Sequence, residues 1–137
     1  MPTASSSSAR VTFLDVAASV DRLRAAARRL CETDPNVAAV VLFGSLAQGS
    51  ATPSSDADLL VVLRRDGRRV IDRVPDYTRP FEGLGMSTQV FPWTEPELAA
   101  RLSDNDPFAR EILRTGRTLA GGLEEERYRV VGGAKGP

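Results

Sequence analysis

The chain has 137 residues, which is enough for one globular domain and leaves little room for a second. Its 18 basic and 18 acidic residues balance, so the sequence lacks the basic surplus that binding of long nucleic acids usually requires. Because histidine is absent, histidine-dependent acid–base catalysis and histidine-ligated zinc are excluded. The single cysteine, Cys31, excludes an intrachain disulfide and is typical of a reducing compartment.

No stretch of the sequence predicts a membrane segment or a signal peptide. The longest apolar run, residues 37–43, is far shorter than a membrane-spanning helix needs. The serine-rich start lacks the apolar core of a secretion signal. We therefore expect a cytoplasmic protein with a disordered tail over residues 1–10, a folded domain over residues 11–120 and a flexible tail over residues 121–137.

The first predicted element is a helix from about Asp15 to Glu32, because its apolar residues recur at helical spacing. Four arginines occupy its outer face: Arg22, Arg24, Arg28 and Arg29. Such a face is most often only solvated, although it would also suit an acidic partner or a polyphosphate.

Two apolar runs predict buried strands, residues 37–43 and 59–63. The first run ends at a Gly44-Ser45 turn, and the residues from Leu46 onward predict a short helix. Glycine has no Cβ, so the backbone N–H groups of this turn can face an anion, and the serine hydroxyl can bind a phosphate oxygen. The turn is therefore a candidate phosphate site.

Two carboxylates precede the second run, Asp56 and Asp58. Because they are two residues apart in a predicted strand, they project to the same side at about 6–7 Å spacing. Mg²⁺ binds through one or two carboxylates and takes further ligands from substrate phosphates, so the pair suits a metal-bound nucleoside triphosphate. A P-loop is excluded, because Gly44 and Gly49 have its spacing but Ser50 stands where its lysine belongs.

The remaining predicted elements alternate to the end of the domain. They are a helix over 70–81 in which Pro75 either makes a kink or begins a second half, a strand over 86–91 that Pro92 ends, a helix behind a Thr94–Glu97 capping box, a helix after Asp106, and a short strand over 118–120. In the last helix Phe108, Ile112 and Leu113 are expected to face inward. Phe91 and Trp93 are expected to pack in or beside the core rather than to stack on a base. This order predicts an α/β domain with helices packed on a mixed β-sheet.

The motif around the two carboxylates resembles the minimal nucleotidyltransferases of the DNA polymerase β superfamily. Their signature is a Gly-Ser pair, about ten residues, and Asp-x-Asp within apolar strands. Here Gly44-Ser45, the ten residues 46–55 and Asp56-Ala57-Asp58 match it, and the resemblance extends over residues 16–119. Two positions depart from the family pattern: Gln48 stands where arginine is common, and Gln89 stands where a third carboxylate is expected.

The resemblance implies a fold and a set of site residues. The fold is a polymerase β palm-like nucleotidyltransferase fold. The catalytic positions would be Asp56, Asp58 and Gln89, with the two aspartates as Mg²⁺ ligands, and the nucleotide-binding residues would be Gly44, Ser45, Gly49 and Ser55. If another acid takes the third position, the nearest candidates are Glu82 and Glu95.

The activity that the resemblance implies is Mg²⁺-dependent transfer of a nucleoside monophosphate, AMP from ATP, to a hydroxyl acceptor that a partner protein would carry. Solitary members of this type also resemble the antitoxins of two-gene toxin modules. The alternative is therefore a catalytically weakened, nucleotide-binding antitoxin that neutralises a small helical ribonuclease toxin by forming a complex. Gln89 is neutral and cannot act as a base, which predicts weak or absent transfer. Both interpretations fit the sequence.

Overall fold

The computed structural model describes residues 3–49 and 55–122. Within these ranges five α-helices and four strands follow one another, with a short 3₁₀ turn after the third helix. The helices are α1 (Thr3–Thr33), α2 (Ser45–Gln48), α3 (Val70–Thr78), α4 (Glu95–Ser103) and α5 (Pro107–Thr115), and the strands are β1 (Val37–Phe43), β2 (Ala57–Leu63), β3 (Thr88–Thr94) and β4 (Arg117–Gly121). The predicted α/β class is confirmed.

The four strands form one mixed sheet in the order β3-β2-β1-β4. β1 is antiparallel to both β2 and β4, whereas β2 and β3 are parallel and α3 connects them. Every residue of the two central strands is buried except Asp58, as expected for strands covered on both faces. Asp58 is thus the one half-buried position in a strand that is otherwise closed to solvent.

Each face of the sheet has its own apolar core. The face under α1 contains, with other residues, Leu23, Ala27, Leu42, Leu59, Val61 and Leu63. The face under α4 and α5 contains Val41, Phe43, Leu60, Val62, Trp93, Leu98 and Ile112. Because successive strand side chains alternate between faces, Asp58 shares the face of Leu60 and Val62. It therefore projects on the side of the sheet that α4 and α5 cover.

α1 begins earlier than its pattern of apolar residues predicts. It includes residues 3–10, which the sequence analysis expects to be disordered, and it extends past the predicted end to Thr33. Extending an existing helix adds one hydrogen bond per residue fixed, so a long helix can continue through serines of only moderate propensity. In the described ranges no helix has both the length and the apolar character needed to cross a bilayer. Of the predicted tail over residues 121–137, residues 123–137 lie outside those ranges.

The boundaries of β3 correct another prediction. The strand spans Thr88–Thr94 instead of 86–91, and Pro92 lies inside it rather than ending it. In the sheet formed by the described residues, β3 is an edge strand that pairs with β2. The carbonyl of Pro92 accepts a hydrogen bond from Nη1 of Arg73 in α3 at 3.0 Å, so it points away from β2. In a strand, the nitrogen and the carbonyl of one residue point to the same side, so the nitrogen of Pro92 also faces away from β2. A proline is tolerated at this position because the pairing with β2 does not need an N–H on that side.

Arg73 holds three elements together. Its side chain is only 2% exposed, and it donates to both carboxylate oxygens of Glu97 in α4 at 2.7 and 2.9 Å. It also donates to the Pro92 carbonyl in β3. Glu97 in turn completes the predicted capping box with Thr94 at the start of α4. A buried guanidinium whose donors are satisfied in this way fixes α3, β3 and α4 relative to one another.

We expect Glu97→Gln to destabilise the protein near neutral pH by about 1–2 kcal/mol and to have little effect near pH 2. Hydrogen bonds from Arg73, followed by the backbone N–H of Thr94, lower the pKa of Glu97 from 4.5 to about 2. The folded-state pKa is depressed, so this stabilisation is complete above about pH 4.5 and is lost as the pH falls toward 2. The Glu97 side chain is 40% exposed, so solvent screens its interaction with Arg73. The expected loss of stability is therefore smaller than the full pKa shift would correspond to.

Urea unfolding of wild type and Glu97→Gln between pH 7 and pH 2 measures this difference. Glu111→Gln is the matched control, because it removes an exposed ion pair with Arg114 on α5. Exposed pairs contribute about 0–1 kcal/mol, so the control should remain close to wild type. If the difference in unfolding free energy between wild type and Glu97→Gln did not shrink in acid, the low pKa assigned to Glu97 would be contradicted.

Candidate functional site

The predicted site residues meet at one edge of the sheet, where β1 ends and β2 and β3 begin. We call this the site edge. In the strand register Phe43 of β1 lies opposite Asp58, and Asp58 lies opposite Gln89 of β3. Side chains at opposing positions of neighbouring strands project on the same face. The structure therefore places Gln89 beside Asp58, as a shared catalytic site would require, while its chemical role stays a prediction.

Gly44 brings the predicted phosphate turn directly against Asp58. Its backbone has φ 79° and ψ −157°, in a region that side chains rarely tolerate. A Cβ at this position would overlap the carboxylate of Asp58. The position thus needs glycine for two reasons, its backbone conformation and the close approach of the carboxylate. The turn and the acid are parts of one site.

α2 follows the turn and has only four residues. Ser45 is its first residue and is half-buried, and Gly49 ends it in a left-handed conformation with φ 76°. The backbone N–H groups in the first turn of a helix have no acceptor within the helix, so they are available to an anion. The predicted short helix after the Gly44-Ser45 turn is confirmed, although residues 50–54 lie outside the described ranges.

Asp56 and Asp58 carry negative charge that no cation in the described part of the chain offsets through an ion pair. Asp56 is exposed and Asp58 is half-buried. Burial raises the pKa of Asp58, and the nearby charge of Asp56 raises it further. A phosphate in the Gly44 turn would add its own repulsion with both carboxylates. A divalent cation between the carboxylates and the phosphate would relieve all of these repulsions, so the residues present fit Mg²⁺.

The described ranges contain no cluster of three or more His, Cys, Asp or Glu side chains suited to a metal ion. Glu95 is ruled out as the third acid, because it follows the far end of β3. The seven residues of that strand separate it from the site edge by about 20 Å. Glu82 lies in the turn before β3 and is exposed. The donors at the site edge are therefore two carboxylates and the exposed amide of Gln89.

The segment before β3 is fixed from the α1 side. Arg22 donates from Nε to the carbonyl of Leu84 at 2.8 Å and from Nη2 to the hydroxyl of buried Ser19 at 3.0 Å. A Cβ at Gly85 would lie 2.6 Å from Nη2 of Arg22, so this glycine permits the contact. Beyond this segment, the N–H of Ala57 donates to the carbonyl of Ser87 at 2.9 Å, beside half-buried Ser55. Arg22 is thus a structural residue and does not belong to a free basic face.

A cluster of four aromatic rings borders the site edge, and sequence analysis did not identify it. The aromatic cluster consists of Phe43, Phe91, Trp93 and Phe108. Trp93 is buried, which confirms its expected packing role. Phe108 is 42% exposed, so the prediction that it faces inward is wrong. Phe91 and Trp93 are two residues apart in β3, so their side chains lie on the same face of the sheet. This spacing is the sequence signal that indicates an aromatic face. The contribution of Phe108 depends on how α5 crosses that face.

A family model described as a nucleotidyltransferase domain matches residues 23–114. The match extends from α1 to α5 and includes the Gly44-Ser45 turn, both aspartates and Gln89. No curated protein is significantly similar in sequence to this chain.

Solved structures of similar fold include the following two. One is a protein from Sulfolobus solfataricus provisionally assigned as a nucleotidyltransferase, with 23% identity and a TM-score of 0.53 over 63% of this chain and 76% of that one. The other is described as a toxin–antitoxin with AMP-PNP, with 15% identity and a TM-score of 0.52 over 85% of this chain and 86% of that one. At these identities the likeness concerns the fold alone.

Proposed function

The chain belongs to the nucleotidyltransferase domain family, and we propose that it transfers AMP from Mg²⁺-bound ATP to a hydroxyl group of an acceptor. One observation carries this proposal: the backbone turn at Gly44 lies against the carboxylate of Asp58. This contact brings a turn suited to phosphate next to a ligand suited to Mg²⁺. A nucleoside triphosphate with its metal is the substrate class that needs both in one place.

Each site residue has a defined role in the proposed reaction. Asp56 and Asp58 hold the metal, which when bound neutralises charge on the phosphates and the departing pyrophosphate. The Gly44 turn and the Ser45 hydroxyl bind the β and γ phosphates and so orient the α phosphate toward the acceptor. The acceptor oxygen bonds to the α phosphorus, the bond to the bridging oxygen breaks, and pyrophosphate leaves. Gln89 orients the hydroxyl but cannot take its proton, which passes to solvent.

The experiment that tests this proposal is thermal unfolding with ATP, Mg²⁺, or both. A ligand that binds only the folded state raises the melting temperature. We expect ATP with Mg²⁺ to raise it, and Mg²⁺ alone to have little effect, because two carboxylates without phosphates are a weak magnesium site. Asp56→Asn combined with Asp58→Asn should remove the Mg²⁺-dependent part of the rise.

The matched control is Asp72→Asn combined with Asp76→Asn, which makes the same change in charge on exposed positions of α3. This control should keep the full ligand-induced rise. Only the ligand-induced shift is compared, because relieving the repulsion between the site carboxylates would itself stabilise the unliganded protein. An equal shift in wild type and in the site variant would rule out the metal assignment.

The second candidate function is that of a nucleotide-binding antitoxin that neutralises a small helical ribonuclease by forming a complex. The neutral Gln89 beside Asp58 favours it, because that position lacks a base for transfer. The similar fold of a chain from a toxin–antitoxin with AMP-PNP supports the same idea. Under this alternative the wild type would inhibit such a ribonuclease without transferring labelled AMP to it. Under the main proposal, if such a ribonuclease were the acceptor, inhibition would require ATP and would follow the transfer. Either function is consistent with a cytoplasmic location.

A further inference from the structure

We infer that the exposed ring of Phe108 is the surface on which the base of the nucleoside triphosphate stacks. This inference rests on the proposed nucleotide site and adds to it a subsite for the base. The Gly44 turn and the two carboxylates account for the phosphates and the metal, but they leave the base without a binding surface. Among the residues whose side-chain exposure is described, 16–49 and 55–122, Phe108 and Ile71 are the large apolar side chains that remain exposed.

The location of Phe108 connects it to the phosphate site. Its ring centroid lies 5.7 Å from that of Phe43, the residue directly before the Gly44 turn and the register partner of Asp58. It also lies 5.4 Å from the ring of Phe91, two residues after Gln89 on the same face of β3. Phe108 therefore stands on the face that carries Asp58 and Gln89, one row of side chains from the site edge.

The other three rings of the aromatic cluster are not available to a ligand in the same way. Phe43 and Trp93 are 6% and 3% exposed. The guanidinium of Arg101 lies 4.0 Å from the centroid of Trp93 and covers one face of its indole. Phe91 is half-buried between Phe43, Trp93 and Phe108. Phe108 is thus the member of the aromatic cluster that offers an open ring surface.

The structure also holds Phe108 rigidly, as a stacking surface requires. It lies in the first turn of α5, where its N–H donates to the cap residue Asp106 at 3.1 Å. Its ring packs nearly edge-on against Phe43 and Trp93, at interplanar angles of 75° and 76°. These edge-to-face contacts hold the ring in place, while its 42% exposure leaves part of its surface open to solvent. A preformed aromatic surface binds a planar group without a further cost in ordering.

The ligand group that fits this surface is a nucleobase of any identity. Stacking uses the flat face that every base has, so it contributes affinity without selecting strongly among bases. The Phe108 ring itself has no hydrogen-bonding group with which to distinguish one base from another, so we expect ATP and GTP to bind with similar affinity. Inorganic tripolyphosphate, which has the phosphates but no base, should bind more weakly than either nucleotide.

The test is calorimetric titration of ATP, GTP and tripolyphosphate, each with Mg²⁺, into wild type and Phe108→Leu. Leucine keeps apolar bulk but removes the aromatic face. We expect Phe108→Leu to weaken ATP and GTP binding by about 5- to 100-fold and to leave tripolyphosphate binding unchanged. Phe108→Tyr, which keeps the ring, should bind all three ligands like wild type. Ile71→Ala alters the other exposed large apolar side chain, which lies on α3. This variant should bind all three ligands like wild type.

The outcomes separate this inference from the proposed function. If wild type binds tripolyphosphate but Phe108→Leu binds ATP as tightly as wild type does, the base subsite is wrong and the phosphate site stands. Equal weakening of ATP and tripolyphosphate would show that Phe108 only supports the fold of the site, which also overturns the inference. If wild type binds none of the three ligands, both proposals fail. Circular dichroism and the melting temperature confirm that each variant is folded.

Discussion

Gln89→Asp should raise the single-turnover rate of AMP transfer by about 10² to 10⁴, the usual contribution of a general base. Gln89 lies opposite Asp58 in the parallel pair of β2 and β3. Neighbouring strands are about 4.8 Å apart, so an aspartate there would share the metal with Asp58 and could accept the proton of the acceptor hydroxyl. The affinity for ATP should change little, because the effect is on the chemical step.

Transfer from labelled ATP to the acceptor, measured with enzyme in excess, gives this rate directly. Thr88→Asp is the matched control, since it adds the same charge one residue away but on the opposite face of β3. The control should transfer no faster than wild type. Fast transfer by the wild type, with no gain in Gln89→Asp, would show that another group provides the base. Glu82 would then be the acid to test, since Glu95 lies at the far end of the strand.

Gly44→Ala should cost more stability than Gly49→Ala and should also abolish the ATP-induced rise in melting temperature. Both glycines have positive φ, 79° and 76°, so both substitutions introduce backbone strain of about 1–3 kcal/mol. Among the described residues, a Cβ at Gly49 meets no atom within 4 Å, whereas a Cβ at Gly44 overlaps the carboxylate of Asp58. That overlap should add about 1–3 kcal/mol and displace the Asp58 side chain from the site.

Urea unfolding measures both single variants. Gly44 has ψ −157°, in a region essentially confined to glycine, whereas Gly49 is left-handed helical, so the two substitutions differ in strain as well as in overlap, and a double variant is needed to separate these effects. Gly44→Ala combined with Asp58→Ala removes the carboxylate that the new methyl group meets. The double variant should therefore lose less stability than the sum of its two single changes. Equal costs at Gly44 and Gly49, or strict additivity, would mean that the turn does not press against Asp58.

Features encoded in a short stretch of sequence could be predicted. β1 follows an uninterrupted apolar run and was predicted with its observed limits, and the Gly44-Ser45 turn ends it as expected. The capping box at Thr94 and the cap at Asp106 also follow from local hydrogen-bonding chemistry. Each of these features depends on residues within a few positions of one another.

Features that depend on neighbours distant in sequence could not be predicted. Pro92 ends a strand only if its nitrogen faces another strand, and the order of the strands decides that. Phe108 has the helical spacing of a core residue, but it lies in the first turn of α5, over the margin of the sheet. Helical periodicity shows which side a residue shares with its neighbours but not how far the opposing surface extends. The aromatic cluster therefore emerged only from the folded structure.

The outer edge of β3 has a consequence for how this protein behaves at high concentration. An exposed edge strand normally presents N–H and C=O groups to which a strand of another molecule can pair. At Pro92 the outward N–H does not exist, and the outward carbonyl is already occupied by Arg73. The middle of this edge therefore offers a foreign strand neither a donor nor an acceptor. Beyond its contribution to stability, Arg73 protects the sheet against edge-to-edge aggregation.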